Sequence, residues 1–242
     1  MQVPQLHLHS AYSMRRGTAL PELLVPRAAE LGYTHLAITD RDGLWAVPRF
    51  VKSCRKRGVT PLIGAQIADP KNPRRRLILL TRNLDAFRRL SEIVSILHLR
   101  KDPDSGEEKR FDPVEQAEKY IHEGFIAIAD IPEVFRELHG KIPPGHLYGE
   151  LAWGERSVTR RRFYRMLKLC RELKRPVVAT GNIHMKSRED YIIHAILTAM
   201  RTGRCLKDKL PTVDPACYLQ PPDEFERPFH DQNVREALMN AR

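Results

Sequence analysis

Gln5-Leu6-His7-Leu8-His9 is the stretch on which the reading of this chain turns. An extended segment alternates its faces with period two, so His7 and His9 point one way and Leu8 the other. Two imidazoles on one face at a strand end are half of a metal-ligand set, because neutral imidazole is the commonest protein ligand for zinc and its neighbours. The same pattern also describes two surface histidines on an edge strand. The rest of the chain has to choose.

Working outward, short apolar, β-rich runs recur at 35–39, 61–67, 76–81, 125–129, 146–151 and 176–180. Amphipathic stretches of helix length lie between them at 21–31, 47–57, 84–100, 114–123, 132–138 and 158–173, with another at 188–201. Alternating β and α segments with short connections predict a parallel sheet covered by helices. With residues 5–9 included, the strand–helix units number seven, too many for a small open sheet, and a barrel is expected. In such barrels function gathers at the C-terminal ends of the strands. The residues at those ends are His7 and His9, Asp40-Arg41, Gln66, Asp130, Glu150, and Asn182 with His184. The helix ending Ile96-Leu97-His98 adds one more imidazole. Metal-competent side chains therefore recur where a barrel would focus them.

Composition narrows the class. No apolar run is long enough to span a bilayer, and the opening Met1-Gln2-Val3-Pro4 carries no signal-peptide pattern. Cys54, Cys170, Cys205 and Cys217 are scattered without a CxxC pair, which points to a reducing cytoplasm and away from a zinc finger. A formal charge of +11 over 242 residues favours an anionic partner, although excess arginine also occurs on plain solvated surfaces.

The motifs resemble a known family. Leu6-His7-Leu8-His9-Ser10-Ala11-Tyr12-Ser13 is similar to the opening motif of the PHP (polymerase and histidinol phosphatase) domain of bacterial DNA polymerase III alpha subunits, including the error-prone-like branch. Leu31-Gly32-Tyr33-Thr34-His35-Leu36-Ala37-Ile38-Thr39-Asp40 followed by Gly43-Leu44, then 61–67, then Pro176 through His184, resemble its later elements in order. Ala195 through Gly203, and Tyr218-Leu219 before Pro222-Asp223-Glu224-Phe225, resemble its linker toward the polymerase. The resemblance implies a distorted (β/α)7 TIM-like barrel with up to three metals at the strand C-termini. It divides the chain into a PHP barrel at 1–203 and a linker and helix at 204–242, leading toward a polymerase domain that this chain lacks.

The departures from the family pattern bear on chemistry. Arg41 stands where the family has histidine, Gln66 where it has glutamate, Asn182 where aspartate is common, and Arg15-Arg16 where Asp-Gly often precedes. A guanidinium has no lone pair for a metal, and amides lose the anionic charge that offsets metal–metal repulsion. These exchanges shift the local charge by about three units, each worth roughly 4 kcal/mol at about 4 Å and an effective dielectric of 20. The expectation is a degraded cluster in which Arg41 replaces a cation and pairs with Asp40 or Glu150. The alternative is that Arg41 faces solvent and a histidine completes a reduced site. The remaining candidate ligands are His7, His9, Asp40, His98, Glu150 and His184, with His7, His9 and His184 as the nucleus of any mononuclear site. His194 reads as a packed or capping residue, His122, His139 and His230 as surface residues, and Trp45 and Trp153 as packing or interface residues.

Among the basic runs, Arg55-Lys56-Arg57 complements a helix C-terminus, while Arg160-Arg161-Arg162 opens a helix, where the dipole disfavours cations. An external anion, the phosphates of primer–template DNA, is the functional reading of Arg160, Arg161 and Arg162. The charged, Gly/Pro-punctuated segment 101–110 reads as a surface loop. The leading expectation is thus a PHP domain in replication or lesion bypass, kept as a scaffold for a polymerase core on the same chain or a separate subunit, with little or no hydrolysis. The alternatives are an active metal-dependent phosphoesterase (a 3′–5′ exonuclease or phosphatase) and a histidinol-phosphatase-type enzyme, against which the polymerase-like tail argues. The cofactor expectation is one or more divalent metals (zinc, manganese or magnesium) or none.

Overall fold

The structure, a computed structural model, describes residues 3–101 and 106–241. Six strands form one curled sheet in sequence order: β1 (His35–Ile38), β2 (Thr60–Ala68), β3 (Arg76–Thr81), β4 (Phe125–Ala129), β5 (Leu147–Ala152) and β6 (Val177–Thr180). Nine α-helices accompany them among the described residues: α1 (Pro21–Glu30), α2 (Val47–Arg57), α3 (Leu84–His98), α4 (Pro113–Tyr120), α5 (Pro132–His139), α6 (Ser157–Glu172), α7 (Tyr191–Thr202), α8 (Pro222–Glu226) and α9 (Glu236–Met239). The class is the α/β class the alternation predicted, and the curled sheet agrees with a distorted TIM-like barrel.

Two expectations about the sheet are corrected. Residues 5–9 make single parallel bridges rather than a regular strand, Gln5 to Leu36 and Leu8 to Ile183. Those bridges connect β1 to the chain just past β6, so the segment joins the two edges of the sheet. The sheet is also not wholly parallel, because β3 runs antiparallel to both β2 and β4. The reason is the connection: residues 69–75, with prolines at 70 and 73, are too few for a crossover helix, so the chain turns back on itself. Arg76, the first residue of β3, therefore lies at the same end of the sheet as the last residues of β2 and β4.

Local chemistry fixes the helices. Asn83 caps α3 by accepting the Ala86 N–H at 2.8 Å, and α3 buries Ala86, Leu90, Ile93 and Leu97 at helical spacing. Leu90 and Ile93 are fully buried, each stabilising the fold by roughly 2 kcal/mol. Helix α7 ends at Gly203, whose φ of 64° supplies the left-handed turn that stops it. The helix expected at 188–201 is split, with a 3-10 turn at Arg188–Asp190 preceding α7.

The main core lies between β2–β6 and helices α3–α6; a second cluster, around Leu8, Leu36 and Phe50, fills the space under α1 and α2. The C-terminal stretch joins the main core through Phe225, Phe229 and Leu238, and Asn240 donates to the Val177 carbonyl at 2.8 Å. Lys101 bridges Glu108, while residues 102–105 of the expected surface loop lie outside the described residues. Among the described residues no helix is long and apolar enough to cross a membrane.

Candidate functional site

The C-terminal ends of β1, β2, β4, β5 and β6 and the start of β3 surround a cavity of about 520 Å³. His7 and His9 lie buried beside it, on one side as the alternation predicted, with their Nε2 atoms 3.0 Å apart. His7 Nδ1 is 2.6 Å from Glu150 Oε1, an oxygen that also accepts the Thr180 hydroxyl at 2.5 Å. Gln66 Nε2 lies 3.3 Å from His7 Nε2. His184 stacks on His9 with ring centroids 4.3 Å apart, and its Nε2 is 3.2 Å from Asn182 Oδ1. Asn182 holds a φ of 42°, a left-handed conformation costly for a non-glycine residue, which turns the chain between β6 and His184. Burial, then the neighbouring histidines, holds His9 and His184 well below the ordinary imidazole pKa, so both are neutral.

Ser13 determines how His9 is protonated. Its hydroxyl donates to Asp40 Oδ1 at 2.6 Å and accepts the Arg41 N–H at 2.9 Å. His9 Nδ1, 2.9 Å from the same oxygen, is then the donor in that contact, and His9 Nε2 offers a lone pair toward His7. Asp40 accepts from Ser10 N at 2.7 Å, Ser10 Oγ at 2.6 Å and Ser13 Oγ at 2.6 Å. Burial nonetheless pushes its carboxyl above the usual range.

Around this floor the cavity wall carries seven arginines against three carboxylates. The pairing of Arg41 with Asp40 or Glu150 expected from the sequence is not what the structure shows. Arg41 Nε donates to Asp42 at 2.8 Å and its Nη1 to Gln66 Oε1 at 3.1 Å, because both acids already have closer donors. Arg76 is bonded to Asp130 through both carboxylate oxygens, and Arg162 lies 3.8 Å from Asp130. Asp130 resists ionisation by burial, yet Arg76 holds its carboxyl below the usual range. Arg156 is held by the Thr212 carbonyl and hydroxyl. Among the described residues Arg16 and Arg201 form no ion pair, and Arg201 Nε is buried without a hydrogen-bond partner. Gly17 sets the position of Arg16, since a Cβ there would fall 2.1 Å from the Ser10 carbonyl oxygen.

The structure therefore brings His7, His9, Glu150 and His184 together, with Gln66, Arg41 and Asn182 against them. It does not bring in His98, which is exposed at the end of α3, with Nε2 2.6 Å from the Asp42 carbonyl and its ring 5.4 Å from Trp45. Of the 160–162 run, Arg162 lines the cavity, while Arg160 and Arg161 are exposed outside it. His194 is buried and bonded through Nδ1 to the Arg16 carbonyl at 2.8 Å, a packed role as expected. His122 and His230 are exposed, and His139 accepts from Arg175 at 3.0 Å. Trp153 packs edge-on against Phe163. Sequence reasoning missed Arg16, Arg76, Arg156 and Arg201 as site residues. Arg76 was legible in the short link before β3; the other three come from elements with no local signal.

The donors that a cluster of divalent cations would draw on are hydrogen-bonded to one another or to neighbouring side chains in this structure. Asp40 accepts from Ser10 and Ser13, Glu150 is shared between His7 and Thr180, and the Arg41 guanidinium donates to Gln66. Among the described residues no three His, Cys, Asp or Glu side chains are arranged around one ion. His184 Nδ1 is, among the described residues, a buried ring nitrogen without a hydrogen-bond partner.

Residues 5–173 match the family described as the PHP domain. This chain belongs to that family. Its PHP sequence is 27% identical over 256 residues to DNA polymerase III subunit alpha of Bacillus subtilis, covering 96% of this chain and 22% of that protein. It is 26% identical over 273 residues to the error-prone DNA polymerase of Symbiobacterium thermophilum, covering 100% of this chain and 24% of that protein. The chain thus spans about a quarter or less of the length of these relatives. Among solved structures, a protein of Bifidobacterium adolescentis proposed to be a metal-dependent phosphoesterase superposes with a TM-score of 0.53 at 14% identity. That superposition covers 99% of this chain and 96% of the other, and at this identity it speaks for the fold.

Proposed function

We propose that this PHP domain serves a polymerase of the DNA polymerase III alpha type, replicative or error-prone, as a cytoplasmic scaffold with a degraded metal cluster and little or no hydrolysis. The observation that carries the reading is that former ligand positions now hold one another. Arg41 bonds Gln66, Gln66 approaches His7, and His7 is bound to Glu150. A cluster of cations would have to break each of these contacts and displace a guanidinium. A scaffold also needs a face to dock, and α7 exposes Ile192, Ile193, Ile196 and Met200 along one side. The partner is the polymerase core, on the same chain or a separate subunit, with residues 204–242 leading toward it. Primer–template DNA is the anion for the exposed Arg160 and Arg161.

The test is elemental analysis of the purified chain, followed by hydrolysis of a 3′-labelled oligonucleotide with added manganese or zinc. The expected result is no stoichiometric metal and a hydrolysis rate indifferent to His9→Ala. Retained metal with hydrolysis that His9→Ala abolishes would sink the scaffold reading. It would establish the second reading, a metal-dependent phosphoesterase, for which the unpartnered His184 Nδ1 is the favourable observation.

A further inference from the structure

Three arginines from separate parts of the chain face the same cavity with too little negative charge to answer them. Arg16 comes from the loop before α1, Arg41 from the end of β1, and Arg201 from the last turn of α7. All three are half-buried. Among the described residues Arg16 and Arg201 form no ion pair, and Arg41 uses Nε and Nη1 on Asp42 and Gln66, leaving Nη2 for another partner. The cavity's carboxylates are engaged elsewhere: Asp130 with Arg76, Glu150 with His7, and Asp214 with the Thr159 hydroxyl and the Glu155 and Arg156 amides.

Like charges held together out of water are costly. Burial, then repulsion from Arg41, Arg201 and Arg76, lowers the Arg16 guanidinium to about 10. Burial and Arg41 lower Arg201 in the same way. A tetrahedral dianion offers each planar fork an oxygen edge, and Arg is the side chain suited to such bidentate contacts. The cavity volume of about 520 Å³ admits a ligand larger than a bare ion.

We infer that this cavity is a metal-independent phosphate site, in which Arg16, Arg41 and Arg201 bind a phosphate monoester dianion. The guanidinium groups occupy the mouth of the former metal site and supply its positive charge directly. The inference stands on the arginines and needs no scaffold role for the domain. The phosphate group comes from a free nucleotide or from a phosphorylated strand end, and the same arginines would hold either.

The test is calorimetric titration of the chelator-treated chain with inorganic phosphate, at ionic strength matched with sodium chloride, alongside thermal unfolding. Phosphate is expected to bind saturably at one site per chain and to raise the unfolding temperature beyond the chloride control. Arg16→Gln and Arg201→Gln should each weaken binding tenfold or more, while Arg55→Gln, a remote control at the end of α2, leaves it unchanged. Arg201→Lys keeps the charge without the fork and should weaken binding less, which preserves the test if a glutamine variant does not fold. Competition by a nucleoside monophosphate marks a free nucleotide as the source; competition by a 5′-phosphorylated oligonucleotide and not its dephosphorylated twin marks a strand end. Phosphate acting no better than chloride, or binding that survives both glutamine substitutions, overturns the inference. So does binding that appears only on adding a divalent metal. Metal retention before chelation bears on the scaffold reading alone, so the two can fail separately.

Discussion

At the floor of the cavity the charged and polar groups answer one another: Glu150 with His7 and Thr180, Asp40 with two serines, Ser13 with His9. At its rim, among the described residues, Arg16 and Arg201 have no counter-ion and Arg201 Nε has no acceptor. Floor and rim line one cavity, the floor from strand ends and the rim from a loop, a strand end and the last turn of α7, yet only the floor is internally satisfied. A satisfied buried network serves stability, because removing one member leaves the others unpaired. An unsatisfied cluster of like charges costs stability, and persists in a fold that can tolerate it or for a ligand that relieves it.

The largest break in this comparison should come from the floor. Glu150→Ala leaves His7 Nδ1 and the Thr180 hydroxyl buried without their acceptor, and should cost about 3 kcal/mol in urea unfolding. A loss below about 1 kcal/mol would mean that the floor tolerates an unpaired group, and the distinction from the rim would fall.

Acid should act next, through the buried neutral histidines. His9 and His184 sit well below the ordinary value of 6.5 in the folded chain, so the unfolded chain binds more protons as pH falls under it. Their stability contribution is fully present above about pH 6.5 and is lost progressively below it. Each histidine removes up to about 1.4 kcal/mol per pH unit until its folded pKa is reached. Urea midpoints measured from pH 7.5 downward read the slope, and a flat profile between about 6.5 and 5 would contradict the burial.

The smallest effect belongs to the rim. Without phosphate, Arg201→Gln should leave stability within about 0.5 kcal/mol of the parent or raise it, because it removes repulsion and no ion pair. A loss above about 2 kcal/mol would show that Arg201 has a structural partner, and rim and floor would then be alike.

Much of the floor was legible in the sequence. Period-two alternation at Leu6-His7-Leu8-His9 was enough to put both imidazoles on one side, and β-strand ends at Glu150 and His184 brought their side chains to the same place. His98 was the misplaced candidate: a helix end carries no information about which strand end it will approach, and α3 leaves it exposed beside Trp45. Arg41 lines the cavity but has other partners than the sequence suggested, since nothing local announces that Ser10 and Ser13 will claim Asp40 first.

The sequence by itself determined the α/β alternation, the family resemblance, and a guanidinium at position 41 with neutral amides at 66 and 182, because these depend on periodicity and on side-chain chemistry at motif positions. Tertiary structure alone decided that β3 reverses and delivers Arg76 to Asp130, and that Arg16, Arg41 and Arg201 meet across one cavity. Those residues lie up to 185 positions apart in the chain. Mutual charge at such separation is set by how the chain closes on itself, and no local pattern encodes it.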